Sequence, residues 1–326
     1  MQLLSIVDGA VTRREPAELV DLLESVDGIV WLDLVAGEEG AHELLRDVFA
    51  FRPSAVQECE HPGLVPRVRR YDDHLFVEVH APASGRDGVV DALALSQFVG
   101  PRYLVTVHER RADVDVEEAT RDTATLLRRM ERGGVPSQTP AELSYALVSA
   151  VAQRMEARVG DVSSRIVELE RDVLGSQRRD PAYLETMFAA RHELVTLQTM
   201  ALHNRAIFER LKRLAGGTLP DGALPFIEDV VDQFARVQSL CLAERDFLQE
   251  LLDLYQTRTS DSMNIAMERL ALITAVTLPV TALASVYGMN TIVNLHTQPY
   301  QLASSLVVMV LLVVAMLWWT RRQGWW

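Results

Sequence analysis

Leu270-Ala-Leu-Ile-Thr-Ala-Val-Thr-Leu-Pro-Val-Thr-Ala-Leu-Ala-Ser-Val-Tyr287 carries no charged side chain, and neither does the run from Leu302 to Trp319. A hydrocarbon core of about 30 Å takes roughly 17–25 helical residues to cross, so each run is read as a membrane span. Upstream of the first span, no glycine or proline interrupts the chain from Phe226 to Leu278. The span is therefore expected to continue a long helix rather than begin a new one.

That long helix has a packing seam. Phe234, Val237, Cys241, Leu248, Leu251 and Tyr255 recur at steps of three and four, with Glu244 as the one break. Two further helices precede it, one opening at Thr139-Pro140 with Glu142 placed for a capping box, the other opening at Asp180-Pro181. Glycine and proline clusters at 133–136 and 216–225 separate the segments.

The first third reads differently. Gly28–Val35, His74–His80, Ala92–Val99 and Arg102–His108 are strand-like runs bounded by turn residues, and helices are expected near 16–25, 38–50 and 115–132. This mixture predicts an α/β sandwich. His74, Glu78 and His80 share one face of a strand, and alternating polar residues on an exposed face are the expected reading, not a metal site.

The chain of 326 residues carries 32 basic and 45 acidic side chains. Only Arg269, Arg321 and Arg322 among the bases lie beyond residue 260, and only Asp261 and Glu268 among the acids. The excess negative charge thus belongs to the body before the spans, which argues against nucleic acid and for cations as partners. Arg269 precedes the first span and Arg321-Arg322 follow the second, while Thr291 to Gln301 holds no Lys or Arg, so both termini are expected in the cytosol. The N-terminus has no basic start followed by an apolar run, so no secretory signal is expected. Cys59 and Cys241 lie far apart with no ligand spacing and read as buried small hydrophobes in a reducing compartment. No phosphate-binding glycine loop and no nucleophile elbow occurs, so an enzyme is not expected.

Two spans cannot enclose a water-filled path by themselves, and a path for ions would need several copies around an axis. The first span offers a face for one: Asn264, Met267, Ala271, Thr274, Leu278, Thr281 and Ser285 form one uncharged stripe at steps of three and four. Hydroxyls in such a stripe also bond their own backbone or neighbouring helices.

Tyr287-Gly288-Met289-Asn290 closes the span, and here the sequence resembles the CorA-type magnesium channel family, whose signature is Gly-Met-Asn at the outer end of the first of two C-terminal spans. Leu251-Leu-Asp-Leu-Tyr255, Asn264-Ile-Ala-Met267, Leu278-Pro-Val-Thr281, Trp31-Leu-Asp-Leu34, Tyr71-Asp-Asp-His-Leu-Phe76 and Phe98 to Thr106 extend the resemblance over nearly the whole chain. It implies a membrane protein built as a homopentameric funnel: a cytosolic α/β domain (1–135), a long-helix stalk (136–269), a pore-lining span (270–290), an external loop (291–301), a second span (302–320) and a basic, aromatic cytosolic tail (321–326). It also implies passive uptake of Mg2+, and of Co2+ or Ni2+, with no organic cofactor. By position Gly288, Met289 and Asn290 would form the selectivity filter with Asn290 as its outer ring, Asn264, Met267, Leu270 and Leu278 would line or gate the pore, and Thr281 would meet the hydrated ion; Thr274 and Ser285 join the pore-lining set as members of the same stripe. Asp253 matches a family acidic position and would bind regulatory Mg2+, and Asp229 or Asp232 in the acidic segment that opens the long helix is the next candidate.

One departure stands out. The acidic segment that usually follows the motif in the family is missing, and His296 lies in the loop instead. A zinc transporter of the same superfamily and a membrane-tethered scaffold or sensor without transport are the rival expectations.

Overall fold

In the computed structural model the chain is described except for residues 26–27, 86–87, 134–137, 176–181, 215–222, 291–298 and 323–326; for 214, 286–290, 299, 301, 302, 305 and 320 the backbone alone is described. Two compact units divide it, Met1–Glu250 and Leu251–Trp326.

The first unit holds a seven-stranded mixed sheet. Its strands are β1 (Gln2–Val7), β2 (Ala10–Arg14), β3 (Ile29–Val35), β4 (Val68–Arg70), β5 (Leu75–Ser84), β6 (Val90–Val99) and β7 (Tyr103–His108), in the spatial order β2-β1-β3-β7-β6-β5-β4. Every neighbouring pair is antiparallel except β3 and β7, which run parallel from Val30 opposite Tyr103 to Val35 opposite His108. The four expected strands are present with ends shifted by a few residues. β1, β2 and β4 were not expected. β1 and β2 are joined by Asp8-Gly9, both at positive φ, which is the turn chemistry a two-residue hairpin needs. Gly28 has φ +83, and a Cβ there would stand 2.4 Å from the Ile6 carbonyl oxygen, so only glycine lets β3 start beside β1.

One face of the sheet is covered by α1 (Leu19–Glu24), α2 (Ala41–Glu43) with the wider turn that follows it to Val48, and α3 (Pro53–Glu60). Their apolar side chains, among them Leu19, Leu45, Phe49, Ala55, Val56 and Cys59, close a core with Leu3, Leu32, Phe76, Phe98 and Val105 from the strands. Phe51 stacks on Phe98 at 4.0 Å between ring centres.

The opposite face receives α4 (Val116–Ala119), α5 (Arg121–Glu131), α6 (Pro140–Gly175) and α7 (Ala182–Leu214), which completes the expected sandwich. At the start of α6 the Thr139 hydroxyl accepts from the Glu142 N–H at 3.2 Å, while the Glu142 carboxylate accepts from Gln138 N–H at 2.7 Å. The capping box is thus displaced by one residue on its return side.

α8 runs from Ala223 to Asn290 with Pro279 inside it, and α9 from Pro299 to Arg322. The expected seam is real over most of its length: Phe234, Val237, Cys241, Leu248 and Leu251 are buried, and Glu244 is half-buried. Both cysteines are free and buried, and burial pushes each thiol up to about 12.

The expectation of an exposed polar strand face fails. His74, Glu78 and His80 are buried, Glu78 completely, and His74 packs against the rings of Phe51, Tyr71 and Phe98. Neither carboxylate oxygen of Glu78 has a hydrogen-bond partner, and burial raises its pKa to about 7 against a smaller lowering by Arg67.

Candidate functional site

The stripe on the C-terminal part of α8 begins at Asn264 and is exposed at every described position. Met267 is 60% exposed, Leu270 65% and Leu278 64%, and Asn264, Ala271, Thr274, Thr281 and Ser285 are exposed too. At 100° per residue these positions cluster on one side of the helix. The half-covered residues Leu272, Val276 and Leu283 fall on the other side. α9 shows the same asymmetry, with Met309, Leu312, Val313 and Met316 half-covered among exposed neighbours. A long apolar helix that covers one face and leaves an uncharged, hydroxyl-bearing face open is built for a second set of contacts, or for water.

The hydroxyls of the stripe are oriented by their own helix. Thr274 donates to the Leu270 carbonyl at 2.8 Å and Thr281 to the Thr277 carbonyl at 2.7 Å. A hydroxyl has one proton and two lone pairs. With the proton spent on the backbone, each oxygen faces outward as an acceptor only, which suits the water shell of a cation because those waters donate. A threonine here can thus bond its own backbone and still present an acceptor to the solvent side.

Gly288, Met289 and Asn290 form the last residues of α8. Glycine allows a sharp exit from a helix, and here the helix continues through Gly288. Helical φ and ψ are open to glycine at a cost of about 1 kcal/mol relative to alanine, so the residue permits an exit without imposing one. The side chains of Met289 and Asn290 lie outside what is described, as do residues 291–298 with His296.

The apolar part of α8 is long enough to cross a bilayer by length and composition, and α9 adds a shorter apolar stretch, Leu306–Trp319. α9 ends on Arg321 and Arg322, and the Arg322 guanidinium stands 5.3 Å from the centre of the Trp318 ring. Cation and indole stacked at a helix end suit the interface between hydrocarbon and water.

The three acids expected to bind regulatory Mg2+ are dispersed along α8. Asp229 is engaged within its own chain, its Oδ2 accepting from the Tyr145 hydroxyl at 2.6 Å and from Gln233 Nε2 at 2.5 Å. Asp232 and Asp253 are exposed. Among the described residues no group of three or more His, Cys, Asp or Glu side chains is placed to hold a metal ion.

A polar cluster that the sequence did not point to lies inside the sheet. Asp33 on β3 accepts from His108 Nε2 at 2.8 Å and, through its other oxygen, from the Thr123 hydroxyl at 3.0 Å. Thr106 also bonds Asp33, and Trp31 Nε1 donates to Thr106 at 3.1 Å. Because β3 and β7 are parallel and in register, Asp33 sits opposite Thr106 and two residues from His108. Every polar atom of Asp33 is used internally, so the cluster ties the centre of the sheet to α5 and needs no ligand.

The model of a family described as CorA-like Mg2+ transporter protein matches residues 26–322. YfjQ of Bacillus subtilis, whose name marks it as a candidate metal ion transporter, is 25% identical over 265 residues, 80% of this chain and 78% of that protein. The cobalt/magnesium transport protein CorA of Thermotoga maritima is 24% identical over 245 residues, 75% of this chain and 68% of that one. Among solved structures, the CorA magnesium transporter of Methanocaldococcus jannaschii shares the fold with a TM-score of 0.83 at 17% identity, covering 100% of this chain and 99% of that one.

Proposed function

The chain belongs to the CorA-like Mg2+ transporter family, a family of divalent-cation transporters in membranes, and from that premise we propose that it is a homopentameric channel for the passive uptake of hydrated Mg2+. The observation that carries this reading is the open, uncharged face of α8, which leads through acceptor-only threonine oxygens to Gly288-Met289-Asn290 at the helix end.

Mg2+ releases its waters reluctantly and demands tight octahedral geometry. A fivefold ring of Asn290 amide oxygens would accept hydrogen bonds from that water shell without stripping it, and neutral oxygens bind weakly enough to let the ion leave. Rings of Met267 and Leu270 would form apolar constrictions that close by dewetting. The membrane potential contributes about 2.3 kcal/mol per charge per 100 mV, roughly twice that for a divalent ion, so entry requires no coupled reaction. The arginine flanks of the two spans support a topology with both termini in the cytosol and the spans in the plasma or inner membrane.

Cytosolic Mg2+ would hold the closed state by bridging acids of neighbouring copies, and its loss would open the pore through the difference in binding between the two states. Asp253 and Asp232 are the first candidates. Asp229 can join them only by releasing Tyr145 and Gln233.

Divalent flux into liposomes tests the reading, with Mg2+, Co2+, Ni2+ and Zn2+ compared for the unaltered chain and Asn290→Ala. Mg2+ flux that collapses in the variant is expected. Mg2+ flux unaffected by the substitution refutes the filter. Proton-dependent Zn2+ flux without Mg2+ flux points to the zinc transporter, and a chain that assembles but passes no divalent ion is a scaffold or sensor. Magnesium inhibition that survives neutralisation of Asp253 and Asp232 removes the regulatory part alone.

A further inference from the structure

α7 carries a seam that its own bundle does not use. Phe188, His192, Val195, Thr199, Leu202 and Ala206 are all exposed and follow one another at alternating steps of four and three. Phe188 is 56% exposed, Val195 41% and Leu202 46%. The residues of α7 that face inward are a different set, including Met187, Ala190, Leu194, Leu197 and Ala201, all buried. A helix face with large apolar residues at this spacing is a seam for a second helix lying nearly along it, at roughly 20°.

The seam is extended on one flank by Leu64, 94% exposed, and Val65, 53% exposed. Pro62 and Pro66 bracket this loop and stiffen it. Val65 and Pro66 line one cleft together with Ile207 and Arg210 of α7, which sets the loop against that helix.

Charge and register identify what fits there. Arg191 and Arg210 stand exposed beside the two ends of the seam. The exposed side of α8 repeats at the same spacing through Asp232, Arg236, Ser239, Ala243, Asp246 and Glu250, three acids and one base with small residues in the middle. Within one chain α7 and α8 lie antiparallel in a register set by three contacts. Lys212 pairs with Glu228 at 2.7 Å, Phe208 stacks on Phe234 with ring centres 6.2 Å apart, and Arg205 donates to Gln238 at 3.4 Å. Continued along the helices, this register sets Arg210 level with Asp232, Thr199 level with Ala243 and Arg191 level with Glu250. Copies related by an axis running along α8 share those levels, so base meets acid at both ends, while in the middle Thr199 and Leu202 stand level with Ala243 and with Ser239.

We propose that the α7 seam and the Leu64-Val65 loop of one copy dock on the acidic α8 face of the next copy. The contact joins two different surfaces, so it is head-to-tail and closes a ring instead of a twofold dimer. This rests on the homo-oligomeric reading given above and adds the surface through which the ring closes.

The test uses the full chain in lipid nanodiscs, with Thr199→Cys and Ala243→Cys combined and oxidised by copper phenanthroline. Cys59 and Cys241 are buried and stay out of the reaction. A covalent ladder in the double variant, with each single variant remaining monomeric on denaturing gels, is the expected result. A covalent dimer from Thr199→Cys alone means that α7 faces α7, which overturns the proposal. So does an absent ladder when native mass measurement shows the unaltered chain as a ring; a monomer by that measurement defeats the oligomeric reading itself. As a second measurement, Arg191→Glu should raise the concentration for half-dissociation about tenfold, with Glu250→Arg restoring it. Loss without restoration counts against the pairing.

Discussion

The side-chain amide of Asn204, on α7, bonds the backbone of His80, on β5, from both ends: its Oδ1 accepts from the His80 N–H at 2.9 Å and its Nδ2 donates to the His80 carbonyl at 2.8 Å. β4 pairs with β5 only from Leu75 to Val77, so beyond it β5 would present an open edge. Asn204 is fully buried and stands in for the missing strand. Asn204→Ala should therefore leave two buried backbone groups unpaired and cost about 2–4 kcal/mol. Urea unfolding of the full chain in detergent checks this, and a change below 0.5 kcal/mol, the range of an ordinary surface substitution, rejects it.

Glu78 makes stability depend on pH. Its folded pKa is raised to about 7, above its usual value of 4.5, so the folded chain holds a proton that the unfolded chain has released between those values. The neutral carboxyl is accommodated below pH 4.5; stability is then lost as pH rises towards 7 and levels off above it. Glu78→Gln should remove that slope, leaving the variant more stable by on the order of 2 kcal/mol at pH 8 and nearly unchanged at pH 5. Melting curves of both proteins from pH 5 to 8 that stay parallel would exclude a buried, unpaired Glu78.

The buried cluster around Asp33 is assigned to holding the sheet. Asp33→Ala leaves His108, Thr106 and Thr123 without their common acceptor and should cost about 3 kcal/mol. Mg2+ flux per folded channel should not change. A variant as stable as the parent, or one that folds fully but loses flux, would show that the cluster serves some other end.

Thr281 is assigned a role that depends on its oxygen and not on its shape. Thr281→Ser retains an acceptor whose proton can bond the Thr277 carbonyl, and should keep most of the Mg2+ flux. Thr281→Val, of nearly the same volume, removes the acceptor and should slow flux about tenfold, equivalent to about 1.4 kcal/mol in the barrier. Equal rates for the two variants would leave packing as the only part Thr281 plays.

Leu270→Asn addresses the gate. A polar ring in place of an apolar one keeps water in the constriction, so flux should persist at internal Mg2+ concentrations that silence the parent. Liposomes preloaded with Mg2+ read this directly, and inhibition identical to the parent would place the gate elsewhere.

What could be read from the sequence follows from the period of each segment. The long helices and the α8 seam were legible because residues such as Phe234, Val237 and Cys241 repeat over many turns. Four of the five inner strands, β3, β5, β6 and β7, were legible from β-rich runs between turn residues. β1 and β2 were missed although Asp8-Gly9 between two short runs is a hairpin signal. β4, three residues long, carries too little pattern to see. The reading of His74, Glu78 and His80 as an exposed face failed because alternation tells which residues share a face and not what covers it. The Asp33 cluster was invisible for a related reason: Asp33 and His108 are brought together only by the parallel pairing of β3 with β7, which no local spacing encodes.

That parallel pairing also fixes an order of events during synthesis. The centre of the sheet cannot close until residue 108 exists, and its far edge not until Asn204 reaches His80. The first apolar span begins only at Leu270. At translation rates of about 5–20 residues per second, roughly 3–13 s separate the last piece the sheet requires from the first piece the membrane requires. The folding unit is thus given a head start over its own anchor, and a substitution that slows closure of the sheet uses up that interval while leaving both spans unchanged.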